Sequence, residues 1–208
     1  MKKLVLVGAG GHCKVMIEAI DRAEYVIAGI LDGFAELGTE VCGIPVIGSD
    51  EEAEGLLKKG ITHAAISLVG NLKLRRELLY KYKKLGFQFP RIIHSAASVS
   101  GSAQLGEGAV ILAGARVNAE AVIGDYATVN TGAVVEHEVN IGENSHVAPG
   151  SILLGGVSVG KDTLVGAGSI VLQMTQIGDG CTIGAGSVVT RSLKAGSTAF
   201  GNPARLKE

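Results

Sequence analysis

Tryptophan is absent from this chain, and aromatic residues make up only 4% of it. Large rings dominate most globular cores. Their scarcity, beside 31 glycines among 208 residues, points to a fold of thin, repeated layers. An excess of one charge is also missing. Nineteen Lys and Arg face 20 Asp and Glu, for a net charge of −1, so there is no electrostatic case for nucleic acid or an anionic membrane as partner. The three cysteines, Cys13, Cys42 and Cys181, are odd in number and widely spaced. They form neither a zinc motif nor a disulfide framework, which fits a reducing compartment and predicts a cytoplasmic location. Long apolar runs are lacking too. The longest charge-free stretches, 144–160 and 163–178, are glycine-rich and shorter than the ~20 residues that span a bilayer, so no membrane insertion is expected. The N-terminal "MKKLVLVGAGGHCKV" has two lysines but only a short apolar run before a glycine loop, unlike a signal peptide.

What is present divides in two. A composition of 47% hydrophobic and 19% charged residues suits folded domains, and the length allows two small ones. Residues 1–92 alternate strand and helix patterns. "LVLVGAG" reads as a buried strand entering a glycine turn, followed by helical spacing over 11–21. "YVIAGIL", "CGIPVIG" and "HAAISLVG" read as further strands. "DEEAEGLLKKG" and "NLKLRRELLYKYKKLGF" read as helices, the second capped by Asn71 and stopped by Gly86. This alternation predicts an open, mostly parallel sheet with helices on its faces, an α/β Rossmann-like domain.

Residues 93–208 follow another rule. Every sixth residue from Ile93 through Val99, Leu105 and Ile111 to Val189 is Val, Ile or Leu, seventeen in one unbroken frame. A small or β-branched residue stands four places after each of them up to Ile183, and a glycine often follows directly, as at Gly106, Gly124 and Gly142. A six-residue repeat is the signature of a parallel β-helix, with three hexapeptides to a triangular coil. Coils ~4.8 Å apart would build a prism of roughly 27 Å.

The repeat and the ending "GNPARLKE" resemble the left-handed parallel β-helix of the hexapeptide acyltransferases. "GAGGHCKV", the strand ending at Asp32, "VGN" at 69–71 and "VEHEVNIGENSHVAPGS" at 135–151 narrow the resemblance to one branch. That branch comprises bacterial sugar acetyltransferases acting on UDP-4-amino-sugars, with sialic acid O-acetyltransferases related to it.

In the repeat frame His137 stands two places after Val135, and His146 five places after Ile141. Neither takes an inward aliphatic position, so both are expected to project from the prism surface. Ala119 and Gly155 lie one coil below and above His137, and their small size is expected to leave room for a ligand. Acetyl transfer to an amine needs a base, and imidazole titrates near working pH. A carboxylate can orient such a ring, and Glu138 reaches His137 only if strand alternation breaks at a corner. The resemblance assigns His137 as base, Glu138 as the residue that polarises it, and His146 as a contact to acetyl-CoA. It also implies acetyl-CoA contacts at Gly155, Ala167 and Ala185, a homotrimer with active sites at subunit interfaces, and no metal. Charge and position add Arg205 as a contact to a CoA phosphate.

The glycine loop departs from the dinucleotide fingerprint. Gly8-x-Gly10 is followed by His12 and Cys13 where the third glycine would fall. The resemblance implies instead that this domain holds a nucleotide-sugar through Gly10, Gly11, His12, Asp32, Gly33 and Gly70. Gly33 replaces the second acid of the Asp-Asp pair shown by the UDP-sugar branch, and Asp32-Gly33 also reads as a simple turn. His63 and His94 read as structural. Three alternatives stay open: O-acetylation of a sugar hydroxyl, a γ-carbonic-anhydrase-like hydratase using His94, His137 and His146, and a non-catalytic nucleotide-sugar-binding protein.

Overall fold

The computed structural model describes residues 1–207, which divide into two compact units, residues 1–90 and residues 91 onward. The boundary falls two residues before the expected one, because the Ile92 N–H already donates to Ala109 O at 2.9 Å and so belongs to the first coil. No helix among the described residues is long and apolar enough to cross a membrane.

The first unit runs β1 (Lys2–Val7), α1 (Gly11–Ala19), β2 (Tyr25–Leu31), β3 (Glu40–Val41), β4 (Ile44–Gly48), α2 (Ala53–Lys58), β5 (His63–Ile66) and α3 (Leu72–Leu85). The sheet order is β3-β4-β2-β1-β5. "CGIPVIG" is not one strand. Cys42 and Gly43, at φ 49° and 74°, turn the chain between β3 and β4, which pair antiparallel at the sheet edge. The other pairings are parallel. Leu4, Leu6, Ile30 and Leu31 are fully buried, as expected of strands covered on both faces. Asn71 caps α3 by accepting the Leu74 N–H at 3.0 Å, and Gly86 ends it at φ 104°.

The second unit contains seventeen two-residue strands from Ile92–Ile93 to Val188–Val189, each ending on a residue of the six-residue frame. Each pairs in parallel with the strand one coil away, as Val122 with Asn140 and Ile123 with Ile141. The result is three sheets of parallel coil strands around a triangular core, the left-handed β-helix expected; two C-terminal strands, Thr198–Phe200 and Arg205–Leu206, extend one of them to eight strands, the last pairing antiparallel. Frame residues from Ile111 to Val189 are buried to 3% exposure or less, each contributing about 1.5–3 kcal/mol by burial. The hydroxyls among the small residues do not disrupt this core. Ser151, Thr163 and Ser169 each donate to the carbonyl of a glycine in the next coil, at 2.9 Å, so these buried hydroxyls are satisfied. The glycine after a frame residue is set by the coil spacing. A Cβ at Gly142 would lie 2.6 Å from Lys161 N and 2.7 Å from Gly160 C.

Candidate active site

His137 and Glu138 occupy the corner between the six-stranded and five-stranded sheets. Glu138 adopts φ 60°, a left-handed conformation that breaks strand alternation and swings its side chain to the side of its neighbour. The His137 Nδ1–H donates to Glu138 Oε2 at 3.0 Å. A carboxylate can only accept, so Nδ1 carries a hydrogen, and in the neutral ring Nε2 is the nitrogen with the lone pair. Both side chains are well exposed, at 60% and 65%, so the pair is reachable from solvent.

Gly155, one coil above, is not open space. A Cβ there would lie 2.5 Å from His137 Cε1, 2.6 Å from Nε2 and 3.2 Å from Nδ1. The bare backbone of Gly155 is the seat of the imidazole ring. In the space expected to leave room for a ligand, the imidazole ring rests on the Gly155 backbone. Ala167 and Ala185 remain exposed at another corner, and Arg205 is exposed near the C-terminus.

His146 does not project into solvent as expected. It is 6% exposed, in register between Thr128 and Leu164 on the eight-stranded sheet. The Thr131 N–H donates to Asn130 Oδ1 at 2.7 Å, which turns the Asn130 Nδ2 group to donate to His146 Nε2 at 3.0 Å. The Nδ1 of His146 therefore carries its hydrogen. Sequence reasoning passed over Asn130, although its position directly after a frame residue, where glycine is common, was a usable signal.

The chain runs from the six-stranded sheet through the His137 corner into the five-stranded sheet, then into the eight-stranded sheet that bears His146. In a triangular coil a corner stands opposite the third side. One chain therefore holds the two histidines on opposite sides of its prism.

In the first unit a cavity of about 500 Å³ opens at the C-terminal ends of the parallel strands, lined by Val7, Gly8, Asp32, Gly33, Phe34 and Ser49 among others. That is where open α/β sheets bind ligands. Of the expected contacts, Asp32 and Gly33 line it, while Gly10, Gly11, His12 and Gly70 do not. The Asp32 carboxylate accepts the N–H groups of Ala9, Phe34 and Ala35 at 2.7, 2.8 and 2.9 Å. Burial alone would raise its pKa, but these bonds outweigh it and hold the carboxyl below its usual range. Asp32 is thus a strut between the glycine loop and the β2–β3 loop. Phe34, which it helps to fix, is 99% exposed. His12, on the first turn of α1, is pushed down to about 4 by burial and by the Arg75 guanidinium, so it is neutral at physiological pH.

His63 is buried, bonded to Thr62 Oγ1 at 3.0 Å and edge-on to Tyr25. His94 Nδ1 accepts the Ala96 N–H at 2.9 Å in a turn. No three His, Cys, Asp or Glu among the described residues are gathered as a metal site would need.

Residues 3–82 match the PglD N-terminal domain family. Residues 138–173 match the bacterial transferase hexapeptide family (six repeats), and residues 156–191 the hexapeptide repeat of succinyl-transferase. Over 115 residues the chain is 38% identical to the UDP-N-acetylbacillosamine N-acetyltransferase of Bacillus subtilis (strain 168). That match spans 54% of this chain and about half, 52%, of the relative. PerB of Caulobacter crescentus, solved in complex with CoA and GDP-perosamine, is 38% identical, with a TM-score of 0.94 over 100% of this chain and 98% of that one. The acetyltransferase domain of PglB from Neisseria gonorrhoeae FA1090, solved with acetyl coenzyme A, is 34% identical, with a TM-score of 0.88 over 99% of each chain. Structures of the Caulobacter perosamine N-acetyltransferase with one histidine replaced by asparagine or alanine are also similar.

Proposed function

The chain belongs to the hexapeptide-repeat sugar N-acetyltransferases that carry a PglD-type N-terminal domain, and we propose that it transfers acetyl from acetyl-CoA to the amine of a nucleotide-linked amino-sugar. The observation that carries this reading is the His137–Glu138 pair on an exposed corner, with Nε2 left as the free nitrogen. The amine attacks the thioester carbonyl. As the C–N bond forms, Nε2 of His137 takes a proton from the nitrogen, while Glu138 holds Nδ1 and steadies the imidazolium. The tetrahedral intermediate collapses, the C–S bond breaks, and the CoA sulfur leaves with the proton from Nε2. No covalent enzyme intermediate is required.

Acetyl-CoA lies along the prism past Gly155, Ala167 and Ala185, with His146 as a contact. If His137 and His146 serve one site, that site needs two chains, because a single prism holds them on opposite sides. The outer faces of Val134, Ile152, Ile170 and Val188, half-buried and stacked in one sheet, give an apolar surface on which chains can associate. A homotrimer with active sites at its seams satisfies both features. The 500 Å³ cavity holds the nucleotide half of the acceptor, with Phe34 placed to stack on a base. Both substrates belong to the cytoplasm.

The test is thiol release from acetyl-CoA against UDP-, GDP- and dTDP-linked 4-amino-sugars and their 4-hydroxy counterparts. Amine-dependent release is expected. Release only with hydroxyl sugars would turn the reading to O-acetylation, and none with any sugar would leave a binding protein.

A further inference from the structure

Above the His137 corner stands an apolar side chain that the proton-transfer chemistry does not use. Met174 follows Glu138 by two coils, in one column with Gly156. Its N–H donates to Gly155 O at 3.0 Å, just as the Gly156 N–H donates to His137 O at 3.0 Å. Met174 is 75% exposed and holds φ 59°, a left-handed conformation that glycine takes at Gly150, Gly168 and Gly186. A bulky residue there is disfavoured and calls for a reason. Its side chain does not trail into water. A Cβ on Gly156 would lie 2.5 Å from Met174 Sδ, so the thioether is folded down over bare backbone. Two adjacent glycines thus receive two side chains from opposite directions. The imidazole of His137 comes from the coil below onto Gly155, and the thioether of Met174 from the coil above onto Gly156.

We propose that Met174 sets the length of the acyl group, by closing the slot over Gly156 immediately beyond the reaction centre. The inference rests on the acetyltransferase reading above. Nε2 of His137 is the ring nitrogen not bonded to Glu138, and the Cε1–Nε2 side of the ring rests against Gly155, so the amine and the thioester carbonyl meet beside these two glycines. The acyl substituent is one bond from the attacked carbon and meets the nearest wall, which is the thioether. The expected CoA contacts at Ala167 and Ala185 lie in coils above His137, so the donor descends from the Met174 side. An acetyl methyl fits beneath Sδ, and each further methylene runs into it. Taking the side chain away opens a space about one coil spacing (~4.8 Å) deep, enough for about two or three more methylenes.

The experiment compares kcat/KM for acetyl-CoA and butyryl-CoA, with one nucleotide-linked amino-sugar, in the wild-type protein, Met174→Ala and Met174→Leu. The wild type should favour acetyl by on the order of 100-fold. Met174→Ala should narrow this to about tenfold by gaining butyryl transfer. Met174→Leu should keep the wild-type preference, because the bulk and not the sulfur closes the slot. Thermal melting verifies that both variants fold, which an exposed site with positive φ permits. A Met174→Ala protein that still transfers acetyl with an unmoved ratio overturns the proposal, as does a wild type that takes butyryl as readily as acetyl. If the wild type releases no thiol from acetyl-CoA with any amino-sugar, the acetyltransferase reading itself fails and this inference falls with it.

Discussion

The imidazole of His137 lies where a side chain on Gly155 would stand, with Cε1 2.5 Å and Nε2 2.6 Å from that Cβ position. The absence of one methyl group, a full coil further along the chain, gives the proposed base its place. The ring is held from below by its own chain, at its edge by Glu138, and from above by a bare peptide.

Gly155→Ala should therefore disable the enzyme without unfolding it. The φ of Gly155 is not in the left-handed region, so alanine strains no backbone there, but its methyl must push the ring aside. A displacement near 1 Å costs on the order of 100-fold in turnover. Steady-state kinetics beside a melting curve decide this, and unchanged kcat in a folded variant would refute the seat.

Replacing His137 by alanine should remove most turnover while acetyl-CoA still binds, because the donor's other contacts are elsewhere. Calorimetric titration with acetyl-CoA and a thiol-release assay, run on one sample, separate the two effects. Near-normal rates would falsify the assignment of base.

Glu138→Gly separates activity from stability. Glycine suits φ 60° and relieves strain of about 1 kcal/mol, set against a similar loss of chain entropy. Stability should hold within about 1 kcal/mol, while turnover falls roughly 10- to 100-fold as Nδ1 loses its acceptor. Parallel loss of stability and activity would mean that Glu138 serves the fold.

Asp32→Asn should weaken the first unit by about 1–3 kcal/mol. The amide keeps one acceptor oxygen for Phe34 and Ala35 but sets an NH2 group against the Ala9 N–H, or the reverse. Urea denaturation reads the cost. A loss of nucleotide affinity with no loss of stability would instead make Asp32 a ligand contact.

The pH dependence of stability should carry a His12 component. Burial and the Arg75 guanidinium push this imidazole down to about 4 from 6.5. Between those values the unfolded chain binds a proton that the folded chain refuses, so stability falls as pH drops from about 6.5 to about 4 and is untouched by this group above that range. The full effect is on the order of 3 kcal/mol. His12→Gln should flatten the urea midpoint against pH in that window, and parallel curves for the two proteins would contradict it.

Much of the fold was legible in one dimension. A six-residue frame that never slips, from Ile93 to Val189, fixes which residues point inward and which stack from coil to coil, because a coil of constant length admits only one register. The caps of α3, Asn71 and Gly86, were legible because they act within one turn of chain. The turn at Cys42-Gly43 was not, since an Ile-Pro-Val run reads as strand whether or not a hairpin precedes it.

The site divides along the same line. Sequence by itself placed His137 and His146 off the inward ladder, and the resemblance implied roles for them and for Glu138. It did not show that His146 is buried against Asn130, that Asp32 spends its carboxylate on backbone amides, or that Gly155 and Gly156 are seats for His137 and Met174. Those facts depend on where side chains go after they leave a corner. That direction is set by the left-handed φ of Glu138 and Met174 and by what the neighbouring coil lacks, and both arise only when coils stack. Stacking also puts the two histidines on opposite sides of one prism, a separation that their closeness in the sequence conceals.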